Sequence, residues 1–212
     1  MQNPYQVVHD FESALCEYTG APYCVTTTSC TMAILLACRW HYLDIEEKGY
    51  EYPGGPVTIP SRTYVGVPMS IIHAGFEVSF HDTKWRGDYP LHPLPVVDSA
   101  RLLTTGMYEW QDPGTFVCVS FHPTKHLGIS TGGGAILLDD PEAAGILRMM
   151  RFDGRDTGIQ LQSQKDWVMG WHANMSPMAA AEGLLRLSTL PRNNDPLPNS
   201  DYPDLSKLEI FK

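Results

Sequence analysis

The sequence has little positive charge and no long apolar run. Its 212 residues contain 15 lysines and arginines against 24 aspartates and glutamates, which gives a formal net charge of −9 with histidine neutral. Binding to nucleic acid or to an anionic membrane needs clustered basic side chains, so we expect neither partner. The longest apolar run, residues 32–38, is far too short to span a bilayer, and the first residues lack the basic and apolar regions of a secretory signal.

Cysteine is scarce and shows no pairing pattern. The five cysteines form no C-x-x-C motif and their number is odd, which favours neither a disulfide framework nor a zinc cluster. We therefore expect reduced thiols in a cytoplasmic protein. The histidines show no H-E-x-x-H spacing, so we expect no metal site. With 43% hydrophobic and only 18% charged residues, the chain has enough apolar material for a sizeable buried core.

Strand-like and helix-like segments alternate along the chain, which is typical of an α/β fold with a mainly parallel sheet flanked by helices. The spacing predicts strands at 23–27, 57–60, 77–80, 95–98, 115–121 and 134–138. It predicts helices at 31–42, 65–73, 141–151 and 176–190. Residues 1–190 are therefore expected to form one domain, followed by an irregular C-terminal tail at 191–212, which is rich in proline, asparagine and aspartate.

Small hydroxyl residues lie between the first predicted strand and the next helix, in the run Thr-Ser-Cys-Thr at 28–31. A helix N-terminus offers free N–H groups and the positive end of the helix dipole, so an anion such as a phosphate fits there. Serine and threonine also cap helices in general, and plain capping is the alternative explanation.

Two charged residues follow apolar strands. Asp98 ends the run Val-Val-Asp, where it can pair with a cationic ligand nitrogen, cap a helix or pair with Arg101. Lys125 follows the buried strand at 115–121 and precedes the glycines at 132–134. A lysine beside apolar groups and a cationic neighbour loses its proton more easily and becomes a Schiff-base nucleophile, although most lysines are solvated surface groups. Together with the run at 28–31, these residues indicate a phosphate-bearing cofactor held by a reactive lysine.

The run Ser-Phe-His-Pro-Thr-Lys-His-Leu-Gly at 120–128 resembles the cofactor-lysine motif of the DegT/DnrJ/EryC1/StrS family, whose members are pyridoxal-phosphate sugar aminotransferases of fold type I. Other segments resemble the family in the right order: the phosphate turn at 29–33, the Pro-Ser-x-Thr-aromatic segment at 60–64, and the Met-Ser-x-x-x-Ala-Ala helix at 175–181. The resemblance implies the large domain of that fold, with the small C-terminal domain absent.

The resemblance implies a role for each matching residue. Lys125 would bind pyridoxal 5'-phosphate as a Schiff base and move a proton at the substrate α-carbon, and Asp98 would pair with the pyridine nitrogen. Tyr64 would stack on the ring face. The phosphate would be held by the backbone of Cys30 and Thr31 and by the hydroxyl of Ser120.

The chain departs from the family in several places. Only 15 residues separate Asp82 from Asp98, where the family carries a further strand and helix. Arg101 stands where the family has Gln or His, and we keep it as a cofactor-binding candidate. The segment that reaches the partner's site in the family reads His-Ala-Asn-Met here, so His172 is a substitute candidate.

The resulting expectation is an aminotransferase that uses pyridoxal phosphate and works as a homodimer. It would move an amino group from an amino acid, with L-glutamate as the expected donor, to a keto sugar linked to a nucleotide. Two alternatives stay open: a pyridoxal-phosphate enzyme of another reaction type, and a binding or scaffold protein that keeps the fold without turnover. The shortened segments favour the last alternative.

Overall fold

A computed structural model describes residues 3–48, 55–198 and 201–212. Within these ranges the helices are α1 (Gln6–Thr19), α2 (Cys30–Lys48), α3 (Gly66–Ala74), α4 (Pro141–Met150) and α5 (Pro177–Leu187). The strands are β1 (Tyr23–Thr27), β2 (Val57–Pro60), β3 (Val78–His81), β4 (Tyr89–Pro90), β5 (Val96–Ser99), β6 (Phe116–Ser120) and β7 (Gly134–Leu138). Every strand and helix predicted from the spacing is present, with end residues that differ by a few positions. Among these helices none is both long and apolar enough to cross a membrane.

The sheet has the order β1-β7-β6-β5-β4, and β2 and β3 form a separate parallel pair. An isolated bridge from Thr58 to His92, with 2.7 Å between Thr58 N and His92 O, connects that pair to the segment after β4. The α/β class is confirmed, but the expectation of mainly parallel pairing needs correction. Within the five-stranded sheet only β5 and β6 pair in parallel, and the other three pairings are antiparallel.

The position of β7 explains this difference. The chain turns back after β6 through a glycine-rich segment, and β7 then runs between β6 and β1 in the opposite direction. Because β7 is antiparallel to both neighbours, β1, β5 and β6 still share one direction, and their carboxyl ends meet at the same edge of the sheet. That edge is where ligands bind in open α/β sheets.

Helices cover both faces of the sheet and create two apolar cores. Along β6, Phe116 and Cys118 face α2, α3 and α4, whereas Val117 and Val119 face α1 and α5. Successive side chains of a strand point to opposite faces, so both sets are fully buried. This double coverage explains why β6 and β7 read as continuous apolar runs in the sequence.

A buried charge network ties α1 to β1 and α4. Glu12 is 4% exposed and accepts a 2.9 Å hydrogen bond from Thr26 N. Arg151, which is 6% exposed, pairs with the Glu12 carboxylate and also donates to Thr26 O at 2.7 Å. Because every partner in this network is hydrogen-bonded, the two charges compensate each other in the interior.

The C-terminal segment, residues 191–198 and 201–212, packs along the domain and contains only short 3-10 turns. Near its start, Asn194 Nδ2 donates to Leu103 O at 2.8 Å. Farther along, Leu205 is fully buried and its N–H donates to Ser61 O at 2.8 Å, and the Phe211 ring lies 5.6 Å from that of Phe80. The division into a domain of residues 1–190 and a separate tail stays a prediction.

Candidate functional site

A cavity of about 370 Å³ lies at the sheet edge where β1, β5 and β6 end. Its volume is within the range of small-molecule sites. Seven of the eight site residues predicted from the sequence line it: Cys30, Thr31, Tyr64, Asp98, Arg101, Ser120 and Lys125. They come from α2, from the turn after β2, from β5 and the turn that follows it, and from the end of β6 and its following turn.

His172 does not line this cavity. Its side chain is exposed and its Nδ1 lies 2.8 Å from Asp153 Oδ2. The residue sits where the 171–173 backbone returns past the end of α4, with a bridge to Phe152. The structure therefore gives His172 no place among the cofactor-binding groups of its own chain, and its contribution to a partner's site stays a prediction.

The anion end of the cavity is built from the start of α2. Ser29 caps the helix, since its Oγ accepts from Met32 N at 3.1 Å and its carbonyl accepts from Ala33 N at 3.0 Å. The N–H groups of Cys30 and Thr31 precede the helical ladder, so they are the donors that a phosphate would use. The predicted capping and the predicted anion turn are therefore compatible at this position.

A glycine makes this close arrangement possible. A Cβ on Gly134, at the start of β7, would lie 2.6 Å from the Ser29 carbonyl carbon and would overlap the backbone of Cys30. Only glycine lets the first residue of β7 pack directly against the N-terminus of α2. Gly134 thus serves close backbone packing beside the cavity.

Asp98 is a buried carboxylate on the opposite wall. Its Oδ2 accepts from Tyr89 Oη at 2.7 Å, and its Oδ1 accepts from Ala100 N at 2.9 Å. Burial raises the pKa of Asp98, while the two hydrogen bonds and the positive charge of Lys125 act in the opposite direction. A buried acid of this kind needs a cationic partner, and a protonated pyridine nitrogen has the required charge.

Lys125 is half-buried in the turn after β6, where its backbone N–H donates to the carbonyl oxygen of His122 at 2.8 Å. Burial lowers the pKa of Lys125, and the nearby charge of Arg101 lowers it further, against the opposing effect of Asp98. A lower pKa increases the fraction of neutral amine, which is the nucleophilic form. The cavity therefore combines an anion-binding helix end, a buried acid and an activated lysine, which fits pyridoxal phosphate.

Sequence reasoning missed the lining residues Thr63, Trp85 and Tyr202. It also missed Tyr89, which does not line the cavity but binds the lining residue Asp98. Tyr89 lies in a strand of only two residues, which leaves no periodic pattern. Tyr202 arrives from the C-terminal segment, whose docking no local signal indicates. Thr63 belongs to the 60–64 segment singled out above, so its position in that motif is the one signal that could have found it.

The described residues include no group of three or more His, Cys, Asp or Glu side chains placed to hold a metal ion. All five cysteines are free thiols. Cys30 lies at the cavity wall, where its Sγ donates to Cys118 O at 3.7 Å, and burial raises its pKa well above the usual value. This thiol therefore stays protonated and packs as a small apolar group.

The model of the DegT/DnrJ/EryC1/StrS aminotransferase family matches residues 1–89 and 109–196. The chain belongs to this family. Pyridoxal phosphate, the cofactor expected from the sequence, is confirmed as the cofactor of the family and of its structural neighbours. The unmatched residues 90–108 include Asp98 and Arg101, so the case for these two residues rests on the cavity geometry.

Two curated relatives are similar to most of the chain. One is UDP-4-amino-4,6-dideoxy-N-acetyl-beta-L-altrosamine transaminase of Campylobacter jejuni, which is 22% identical over 88% of this chain and 57% of its own length. The other is UDP-2-acetamido-2-deoxy-3-oxo-D-glucuronate aminotransferase of Pseudomonas aeruginosa, which is 24% identical over 70% of this chain and 50% of its own length. The chain thus spans about half the length of these relatives.

A solved structure shares the fold. The sugar aminotransferase CalS13 from Micromonospora echinospora superposes with a TM-score of 0.65 and 18% identity, covering 89% of this chain and 61% of that one. The expected fold, the large domain of the pyridoxal-phosphate aminotransferases, is therefore confirmed.

Proposed function

We propose that the protein is a pyridoxal-phosphate-dependent aminotransferase that transfers an amino group to a keto sugar. The observation that carries this proposal is the meeting of Lys125, Asp98 and the N-terminus of α2 in one cavity. These three features are complementary to the aldehyde, the pyridine nitrogen and the phosphate of the cofactor. Family membership and the named relatives, which are both sugar aminotransferases, support the same reaction.

Each residue contributes a different step. When bound, pyridoxal phosphate supplies an aldehyde carbon and a ring that withdraws electrons from the substrate. Lys125 would hold the cofactor through that aldehyde carbon. Once the substrate amine has displaced it, Lys125 would hold or return the proton at the substrate α-carbon, since its lowered pKa keeps part of the amine neutral. Asp98 would keep the ring nitrogen protonated by its negative charge. The α2 amides would hold the phosphate, and the exposed ring of Tyr64 would stack on the cofactor ring.

The substrates follow from the relatives and from the cavity mouth. Both relatives carry UDP-sugar names, so we propose a nucleotide-linked keto sugar as acceptor and L-glutamate as donor. Arg101 lines the cavity, and Arg62 donates at 3.5 Å to the carbonyl oxygen of Tyr202, which also lines it. Guanidinium groups bind carboxylates and phosphates in a bidentate manner, which suits both substrates.

We also propose a cytoplasmic homodimer. The free thiols favour a reducing compartment. The 157–171 segment exposes Trp167 by 53% and Met169 by 77%, and such side chains are typical of obligate interfaces.

A binding protein without turnover is the second candidate. It is favoured by the 55% exposure of Tyr64, because an open site admits water and weakens electrostatic stabilisation.

Reaction with the amino donor separates the two candidates. Protein loaded with pyridoxal phosphate is mixed with L-glutamate, and 2-oxoglutarate and the aminated cofactor are quantified by mass spectrometry. An aminotransferase produces both in equal amounts, whereas Lys125→Ala produces neither. Lys165→Ala, which changes a lysine outside the cavity, serves as the matched control and retains the reaction. Cofactor binding without 2-oxoglutarate would support the binding protein.

A further inference from the structure

Tyr89 occupies an unusual place beside the buried acid of the cavity. It lies in β4, the two-residue strand, and is the direct cross-strand partner of Asp98 in β5. Directly opposed residues of an antiparallel pair present their side chains on the same face. The Tyr89 side chain is almost fully buried, and its hydroxyl reaches Asp98 Oδ2 at 2.7 Å.

A third residue completes the arrangement. Thr63, which is 1% exposed in the turn after β2, places its Oγ1 2.6 Å from Tyr89 Oη. A tyrosine hydroxyl has one proton, and here it is donated to the Asp98 carboxylate. The Thr63 hydroxyl therefore donates to the Tyr89 oxygen, and a directed chain runs from Thr63 through Tyr89 to Asp98.

We propose that Tyr89, supported by Thr63, is a positioning residue that orients the Asp98 carboxylate toward the cavity and keeps it ionised. Ala100 N binds Oδ1 and Tyr89 binds Oδ2, so both oxygens have a fixed donor and the carboxylate plane cannot rotate freely. The proposed benefit to the cofactor nitrogen rests on the proposed function. The effect on Asp98 itself does not, because all the contacts lie within the protein.

The electrostatic balance around Asp98 shows why a second donor matters. Burial disfavours the ionised form, and the neighbouring acid Asp88 disfavours it further. The hydrogen bonds from Tyr89 and Ala100 and the charge of Lys125 favour the ionised form. The Cys30 thiol also faces this group but stays protonated, because burial raises its pKa. Removal of the Tyr89 hydroxyl therefore raises the pKa of Asp98.

The first test uses the cofactor-free protein. Carboxyl carbons of aspartate are labelled with ¹³C, Asp98→Asn assigns the signal, and the Asp98 titration is followed by NMR. Tyr89→Phe is expected to raise the Asp98 pKa by about 1–2 units, the usual effect of a hydrogen bond to a buried charge. Thr63→Val should give a smaller rise and Thr63→Ser almost none. Tyr108→Phe is the matched control, because the Tyr108 hydroxyl is bound to Thr115 O at 2.8 Å outside the cavity.

The second test measures the dissociation constant of pyridoxal phosphate against pH. Tyr89→Phe should move the acid limb of that profile upward by the same 1–2 units, since affinity falls once Asp98 is protonated. A folded Tyr89→Phe protein with an unshifted Asp98 titration would overturn the proposal, and so would an unshifted titration in Thr63→Val if Tyr89→Phe does not fold. A shifted titration in a protein that binds no pyridoxal phosphate supports the role of Tyr89 and contradicts the proposed function alone.

Discussion

The Tyr202 ring lies nearly parallel to the Trp85 ring, with 6.4 Å between the centroids and 16° between the planes. Both rings line the cavity, although one comes from the loop after β3 and the other from the C-terminal segment. The C-terminal segment also binds Arg101, which follows β5. The Arg101 guanidinium donates to Pro198 O and, at 3.5 Å, to Tyr202 Oη. Residues far apart in the chain therefore complete one side of the candidate site.

The attachment of this segment depends on Leu205, which is fully buried. Leu205→Ala removes buried apolar volume and is expected to weaken docking by about 2–5 kcal/mol. The segment should then be cleaved faster by a nonspecific protease, with the products followed by intact mass spectrometry. Ile210→Ala is the matched control, because Ile210 is 66% exposed and its truncation should leave the cleavage rate unchanged. Equal cleavage of Leu205→Ala and wild type would show that the segment is held elsewhere.

The charge of Arg101 sets part of the reactivity of Lys125. Burial is the larger cause of the lowered pKa of Lys125, and the positive charge of Arg101 is the next. Arg101→Gln should therefore raise the pKa of Lys125. Because only the neutral amine reacts, the pH midpoint for modification of Lys125 by an amine-specific reagent should move to higher pH. Peptide mapping after labelling across a pH series measures this shift. The control, Arg186→Gln, changes an arginine paired with Glu182 on α5, and a midpoint that moves equally in both variants would contradict the assignment.

Gly134 tests the contact between β7 and the anion end of the cavity. Gly134→Ala places a methyl group against the Ser29 and Cys30 backbone, which must shift and disturb the α2 amides. We expect a loss of about 1–3 kcal/mol in the free energy of unfolding, with weaker pyridoxal phosphate binding. Urea denaturation and fluorescence titration measure the two effects. Gly145→Ala in α4 meets open space and should leave both unchanged or slightly raise stability.

The Glu12–Arg151 pair should make the protein acid-sensitive. Burial alone would raise the pKa of Glu12, but the Arg151 charge and the hydrogen bonds from His9 and Thr26 lower it to about 2. A depressed carboxyl pKa stabilises the fold above the unfolded-state value of 4.5, and the contribution is lost as the pH falls toward 2.

Urea denaturation between pH 7 and pH 2.5 measures this contribution, which should be about 3 kcal/mol. Glu12→Gln should lose most of the pH dependence and should be less stable at neutral pH, since the Arg151 charge stays buried without its partner. Glu17→Gln, which changes an exposed acid of the same helix, is the control and should keep the wild-type slope between pH 5 and pH 2.5.

The local parts of the site could be predicted from the sequence. Lys125, Ser120 and Cys30 lie where a strand meets a turn or a helix, so short-range patterns place them at the same sheet edge. The antiparallel direction of β7 could not be predicted, because an apolar five-residue run does not encode its orientation. Tyr89 and Tyr202 were missed for a related reason: a two-residue strand and an irregular segment take their positions from tertiary packing.

The proposed function depends most directly on a covalent bond between pyridoxal phosphate and Lys125. Wild type, Lys125→Ala and Lys165→Ala are incubated with pyridoxal phosphate, their visible absorption is recorded, and borohydride reduction is followed by peptide mapping. We predict a Schiff-base band in wild type and Lys165→Ala, the cofactor mass on the peptide containing Lys125, and no band in Lys125→Ala. A wild-type protein without the band, or with the cofactor mass on another lysine, would contradict the proposed function.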